Sequence, residues 1–457
     1  MPRTSALGWP ERLESGARWA VPVVIAAIAV NGVYASIGLF ADGSYSMLGM
    51  LQRGGYFVYD PARWYADIVT QTPVVLAIHL GVNDVATLIR TQSLGLVAIP
   101  LAAWVGALAA QWKRHFYWAI VVMFAVTELN TGFVAIGEFS FAYSLVALSS
   151  ALLLRRDRMK WWQAVTLVLV ASALVRSYEA LAYLGPILLA LAIVRLVGVR
   201  EKSRSTRWVV RVVLALAAYA YATATVIAVL AIRSPRDPSN ARDAADLWGP
   251  LQHNRQFVIS AAVAVMIACV PLIRRVRFGS LLSCVLAVAA AALLLPQLWA
   301  QPSLHYATRT LAGVALFGLL SAVVGVDYIR QRRSRTGRAE TGSAPLAWVA
   351  PFALFCALVV PFTVHTFGFA GWVSNFEQVV VTNSGTIPLA KSGLDAKATD
   401  LYGWGWTNPS LSILLQEHSD QAIILSPAGN PAATVEELPS PLPVRLPEFT
   451  KTSPLFP

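Results

Sequence analysis

The segment "FADGSYSMLGMLQRGGYFVYDPARWYADIVTQTP", residues 40–73, sets Asp42, Arg53, Asp60 and Arg63 among Tyr59 and other aromatic residues just past an apolar run. A carboxylate in such a place can take a proton from an acceptor hydroxyl. A guanidinium can grip phosphate oxygens in bidentate geometry. Asp42 also has a plainer reading, because "DGSY" ahead of "SMLGMLQR" is a fair helix start with an aspartate cap. Local sequence leaves both readings open. Further polar groups recur between apolar runs: Glu128 and Glu138 flank "ELNTGFVAIGE", and "RSYE" carries Arg176, Tyr178 and Glu179. Arg233 and Arg255 bound "RSPRDPSNARDAADLWGPLQHNR", while "AQPSLHYATRT" holds His305, Tyr306 and Arg309.

Apolar elements must position these groups. Of 457 residues 56% are hydrophobic and 13% charged, about half the charged share of a soluble domain. The composition is that of an all-α polytopic membrane protein. Runs long enough for a roughly 30 Å hydrocarbon core suggest about eleven spans: 20–40, 93–112, 115–128, 138–154, 161–175, 180–197, 208–232, 256–273, 280–299, 311–329 and 346–370. The first is too long for a signal peptide and lacks a small-residue cleavage site. Cys269, Cys284 and Cys356 all fall in spans and read as small core residues.

Basic residues set the orientation. Arg155, Arg156, Arg158 and Lys160, Arg200 to Arg207, Arg274 to Arg277, and Arg330 to Arg338 crowd the short loops of one side. The other side is longer and poorer in Lys and Arg, which makes the N-terminus cytoplasmic and the C-terminus extracytoplasmic in a bacterial-type inner membrane. The net charge of +12 then reflects topology, and no nucleic-acid partner is implied. With this orientation the polar groups above collect on the outer face. There an arginine runs against the usual bias, so the set Arg176, Arg233, Arg255 and Arg309, with His305, points to a shared anionic ligand such as a lipid phosphate.

"MLGMLQR" and "YDPARWYADIV" read as short amphipathic pieces lying in the interface, broken at Pro61. An acid directly after the first span, followed by interfacial helices, resembles the first outer loop of the GT-C class of membrane glycosyltransferases. Asp42 in "FADGSY" matches the class's essential acid, and residues 46–70 match its interfacial helices. The resemblance covers roughly residues 1–232, with variable helices over 233–370. It implies sugar transfer, at the outer face, from a polyprenyl-phosphate or diphosphate donor to a glycan, lipid or protein acceptor. Asp42 would be the general base, the outer arginines and His305 the phosphate ligands, and Glu128 or Glu138 a second acid. Neither glutamate stands in a paired acidic motif, so no metal or other cofactor is assigned.

Residues 371–457 form an outer segment in which "VVVTNSGTIPL", "YGWGWTNPSLSILLQ" and "QAIILSPAG" suggest strand, helix and strand. Trp404, Trp406 and Asn408 are candidate acceptor or sugar contacts, along with Arg53, Tyr59, Asp60, Arg63, Glu128, Glu138, Tyr178 and Glu179. The tail ends proline-rich, "ELPSPLPVRLPEF". A lipid-linked sugar flippase or other transporter is the alternative, although the spans show no internal repeat; a non-catalytic envelope scaffold is a third. Reporter fusions after residues 110 and 205 are expected to read as cytoplasmic and one after 375 as extracytoplasmic. A cytoplasmic signal from the last would overturn the topology.

Overall fold

The computed structural model describes residues 9–114, 116–129, 137–155, 157–199, 204–234, 262, 264–268, 285, 304–335, 348–418, 420–425 and 455. The described chain is mostly helical. Among the described residues five helices are long and apolar enough to cross a membrane: Glu11–Tyr34, Val85–Ala110, Ser205–Arg233, Leu311–Ile329 and Val349–Thr382. In chain order the elements begin with α1 (Trp9–Tyr34), α2 (Asp42–Arg53), α3 (Trp64–His79) and α4 (Val85–Ser93), which a π-helical turn (Leu94–Ala98) joins to α5 (Ile99–Ala110). Then follow α6 (Tyr117–Phe124), α7 (Glu138–Leu153), α8 (Trp161–Leu174), α9 (Leu181–Val197), α10 (Arg204–Arg233), α11 (Leu304–Arg335) and α12 (Val349–Thr382).

The surface of α10 is that of a lipid-facing helix. Val209, Val212, Leu216, Tyr219, Val226 and Leu230 are exposed on one helical face, while Val210, Leu214, Ala217, Tyr221, Ala224 and Ala228 are buried on the other. Both faces are apolar, which suits a helix with protein behind it and hydrocarbon in front. By contrast every residue from Phe139 to Leu153 of α7 is buried. At 1.5 Å per residue α7 reaches about 24 Å, short of a bilayer core. Its neighbours α5, α8, α9 and α11 shield it from lipid.

Two close backbone approaches fix the end of the bundle that carries Asp42. A Cβ on Gly95 would collide with the Thr70 carbonyl, and one on Gly43 with the Gly38 carbonyl. Gly38 N–H also donates to Ser93 Oγ at 3.0 Å. The hairpin of α3 and α4 therefore packs tightly against the segment that leads into α2.

After α12 the chain forms a small cap. Strand β1 (Thr386–Pro388) pairs in parallel with β2 (Ile423–Leu425), Ile387 opposite Ile424, and α13 (Ala396–Tyr402) and α14 (Asn408–Leu415) lie between them. Helix α14 packs on both α2 and α12. Near the C-terminus Leu455 is buried; its N–H donates to Glu377 Oε1 at 3.2 Å and its carbonyl accepts from Arg90 Nη2 at 2.8 Å.

Several sequence expectations shift. The first span lies earlier than 20–40, because the helix ends at Tyr34 and Ser36 turns left-handed at φ 52°. The first outer loop holds the apolar helix α3 and the start of the next long helix, Val85 rather than residue 93. "VVVT" is the last turn of α12, so its β-branched residues continue a helix where a strand was expected. Spans 115–128, 138–154, 161–175 and 180–197 correspond to shorter apolar helices. Nearly all of 256–273 and 280–299 lies outside the described residues.

Candidate functional site

Asp60 and Pro61 begin the site. Asp60 Oδ1 accepts from Ala62 N–H at 2.8 Å and caps a 3-10 turn, Pro61–Arg63, in which proline supplies the first residue. The turn delivers Arg63 into a pocket of acids drawn from three connections. Arg63 Nε lies 2.9 Å from Glu179 Oε1 and 3.9 Å from Asp60 Oδ2, and its Nη1 lies 3.6 Å from Glu138 Oε2. The Tyr178 ring covers the guanidinium at 5.4 Å, a cation–π contact. Burial alone would lower the Arg63 pKa, but Glu138, Glu179 and Tyr178 together hold it well above its ordinary value. Glu138 is also the first residue of α7, where the helix dipole favours a negative charge.

Arg63, Asp60, Glu138, Tyr178 and Glu179 thus form one clamp. Each had been a candidate for binding acceptor or sugar; here the four partners are engaged with Arg63. A second link lies alongside, since Tyr65 N–H donates to the Arg176 carbonyl at 2.9 Å. The Arg176 guanidinium sits 5.9 Å from the Trp64 ring centre.

Asp67, one turn beyond Arg63 on α3, is the residue that sequence reasoning missed. It is 8% exposed. Burial raises its pKa first, Glu138 adds to this, Arg63 opposes it, and Asp60 and Asp42 raise it further, to about 9. At neutral pH Asp67 therefore keeps its proton. The signal was available: an acid four residues after an arginine shares its helix face, and "RWYAD" has that spacing.

Asp42 is exposed and is the first residue of α2; the cap position is Ala41, so the aspartate-cap reading does not hold. Ala41 adopts φ 50°, ψ −126°, a conformation unusual for a residue with a side chain. Glutamine side chains hold the first turn of α2 and the segment that follows it. Gln71 exchanges two hydrogen bonds with Phe57, at 2.9 and 2.7 Å, and Gln92 Nε2 donates to the Gly43 carbonyl at 2.8 Å.

Aromatics from the cap meet the rings that precede and follow Asp42 in the chain. Phe40 meets Trp404 with ring centres 6.2 Å apart, and Tyr45 meets Trp406 at 5.3 Å and Tyr59 at 6.3 Å. Arg53 is exposed and stacks on Phe57 at 4.7 Å. Asn408 is 1% exposed, out of reach of an incoming acceptor, and its side-chain N and O have no partner among the described residues.

Glu128 does not join the acidic cluster. It is buried in the π-helical turn Ala125–Leu129, where its carboxylate accepts from Trp104 Nε1 at 3.0 Å and Ser140 Oγ at 2.7 Å. With Ile37, Val97, Leu101 and Phe362 it lines a cavity of about 20 Å³, room for about one water. Arg233 is exposed at the end of α10. His305 and Arg309 fall in the first turns of α11 with side chains outside the described structure, and Arg255 lies outside the described residues. Of the expected phosphate ligands, only Arg176 and Arg233 have described side chains. Among the described residues no cluster of His, Cys, Asp and Glu could hold a metal ion.

Comparison of the chain with protein-family models, curated proteins and solved structures returns no match.

The raised pKa of Asp67 makes stability pH-dependent. The unfolded carboxyl ionises near 3.8 and the folded one near 9, so between these values the folded chain holds a proton that the unfolded chain has lost. Stability from this group falls as pH rises through that window. Asp67→Asn, neutral at every pH, is expected to gain in unfolding midpoint over wild type by a margin that widens from about pH 5 to about pH 8. A constant margin would show that Asp67 does not hold the extra proton.

Proposed function

We propose that the protein is a membrane glycosyltransferase of GT-C type, transferring a sugar from a polyprenyl-phosphate or diphosphate donor to an acceptor hydroxyl at the outer face of the membrane. The observation that carries this reading is the presentation of Asp42. It is an exposed carboxylate on the first turn of α2, next to a strained alanine, near enough to Asp67 to raise that group's pKa, and three residues before Tyr45, which packs on Trp406. Backbone strain next to an exposed acid is a feature that clusters at active sites. In the eleven-span reading both lie on the outer face, where the donor's head group leaves the lipid and the acceptor arrives from water.

In the reaction Asp42 takes the acceptor's hydroxyl proton as the oxygen attacks the anomeric carbon. The bond from that carbon to the donor's phosphate oxygen breaks, and the lipid phosphate leaves with the electron pair. Arg176, which meets Trp64 at the rim of the clamp, stabilises the departing phosphate electrostatically, with Arg233, Arg255, His305 and Arg309 as further candidates. Protonated Asp67 keeps the cluster from repelling that phosphate as strongly as five ionised acids would. Arg63 is committed to its carboxylates and acts as a positioning residue.

Asp42→Asn tests the assignment. Asparagine preserves size and polarity but cannot take the proton, so the purified variant is expected to fold, bind donor and lose transfer by roughly 10² to 10⁴-fold. Transfer at the wild-type rate would remove Asp42 from the mechanism.

A further inference from the structure

We infer that the acceptor is a saccharide, seated on an aromatic wall formed by Tyr45, Tyr59 and Trp406 beside Asp42. The inference rests on the reading of Asp42 as the base and narrows its acceptor to one chemical class.

Tyr45 follows Asp42 by three residues on α2, so the two side chains share a helix face about 4.5 Å apart along the axis. Around Tyr45 the rings of Phe57, Tyr59 and Trp406 stand at 5.3, 6.3 and 5.3 Å, with interplanar angles of 86°, 82° and 64°. Edge-to-face packing fixes these rings against one another. Tyr59 stays 48% exposed and Trp406 half-buried, so ring surface remains for a ligand. Rigid rings of this kind supply apolar contact at little cost in side-chain entropy, while tyrosine adds a hydroxyl. A sugar has the matching surface: C–H faces for the rings and hydroxyls for the polar rim.

The border of the wall argues against the other acceptors. Asp42 and Asp60 adjoin it, and Arg53 stacks on Phe57 at its far side. A face inserted among lipid tails would not be rimmed by charges. Peptides commonly dock along an open strand edge or in an apolar groove, whereas this wall is built from a helix, the irregular stretch that carries Tyr59, and a 3-10 turn. Neither lipid nor protein fits it as a saccharide does.

The test reads binding without donor or turnover. Full-length protein in nanodiscs is applied to a printed array of bacterial envelope oligosaccharides, as wild type, Asp42→Asn, Trp406→Ala, Trp406→Phe and Tyr45→Ala. Wild type and Asp42→Asn are expected to bind the same subset of glycans. Trp406→Ala and Tyr45→Ala should lose at least 10-fold, and Trp406→Phe, which keeps a ring, should retain most of the binding. Absence of array binding by wild type, or unchanged binding by both alanine variants, would overturn the saccharide inference. So would an alanine variant that keeps its glycans but loses affinity for anionic lipid vesicles, which would make the wall a membrane contact. Loss of transfer by Asp42→Asn alongside any of these results would leave the base assignment standing, so the two claims fail separately.

Discussion

A guanidinium placed among helix ends needs compensation from several sides, and Arg63 obtains it from three separate stretches of chain. Its own turn supplies Asp60, the start of α7 supplies Glu138, and the connection before α9 supplies Glu179. Removing one partner of this partly buried set leaves a charge less well compensated and is destabilising. Net stability from the intact set is smaller than that loss, because desolvation offsets much of the attraction. What the clamp contributes is position: three loops that could drift independently are pinned to one point.

From that point the rest of the acidic end follows. Asp67 lies one turn along α3, where burial first, and then the neighbouring Glu138 and Asp60, push its pKa up to about 9. Helix α3 then packs against the π-helical turn after α4, where Gly95 admits the Thr70 carbonyl. Gln92 of α4 holds the first turn of α2 and Gln71 of α3 holds Phe57 beyond its end, and the cap packs on this segment through Trp404, Trp406 and α14. The segment around Asp42 is thus anchored by glutamine side chains and by aromatic rings.

Much of this was legible in the sequence, for physical reasons that vary by element. Length and apolarity marked the long helices, and the amphipathic pattern of residues 46–53 marked α2. The acids and arginine of the clamp stood out individually because charges are scarce in such a chain. Their pairing did not, since Arg63 and Glu179 are 116 residues apart and no local pattern links them. Asp67 was passed over because it sits inside a stretch that read as an amphipathic piece lying in the interface. Glu128 was misread for the opposite reason: the edge of an apolar run looked like a loop, yet the chain buries it against Trp104 and Ser140. Helix α3, interrupted by Pro73 and flanked by polar residues, carries too weak a hydropathy signal to separate from the loop around it.

The central claim is that Arg63 couples the connections of the bundle through its carboxylate partners. A double-mutant cycle of Arg63→Gln and Glu179→Gln, read as unfolding free energy in one detergent at neutral pH, tests it directly. If the clamp is real, the double variant should lose less than the two single variants added together, with a coupling of about 1–3 kcal/mol, as for residues in one ion-pair network. Losses that add to within about 0.5 kcal/mol, the behaviour of independent sites, would contradict it.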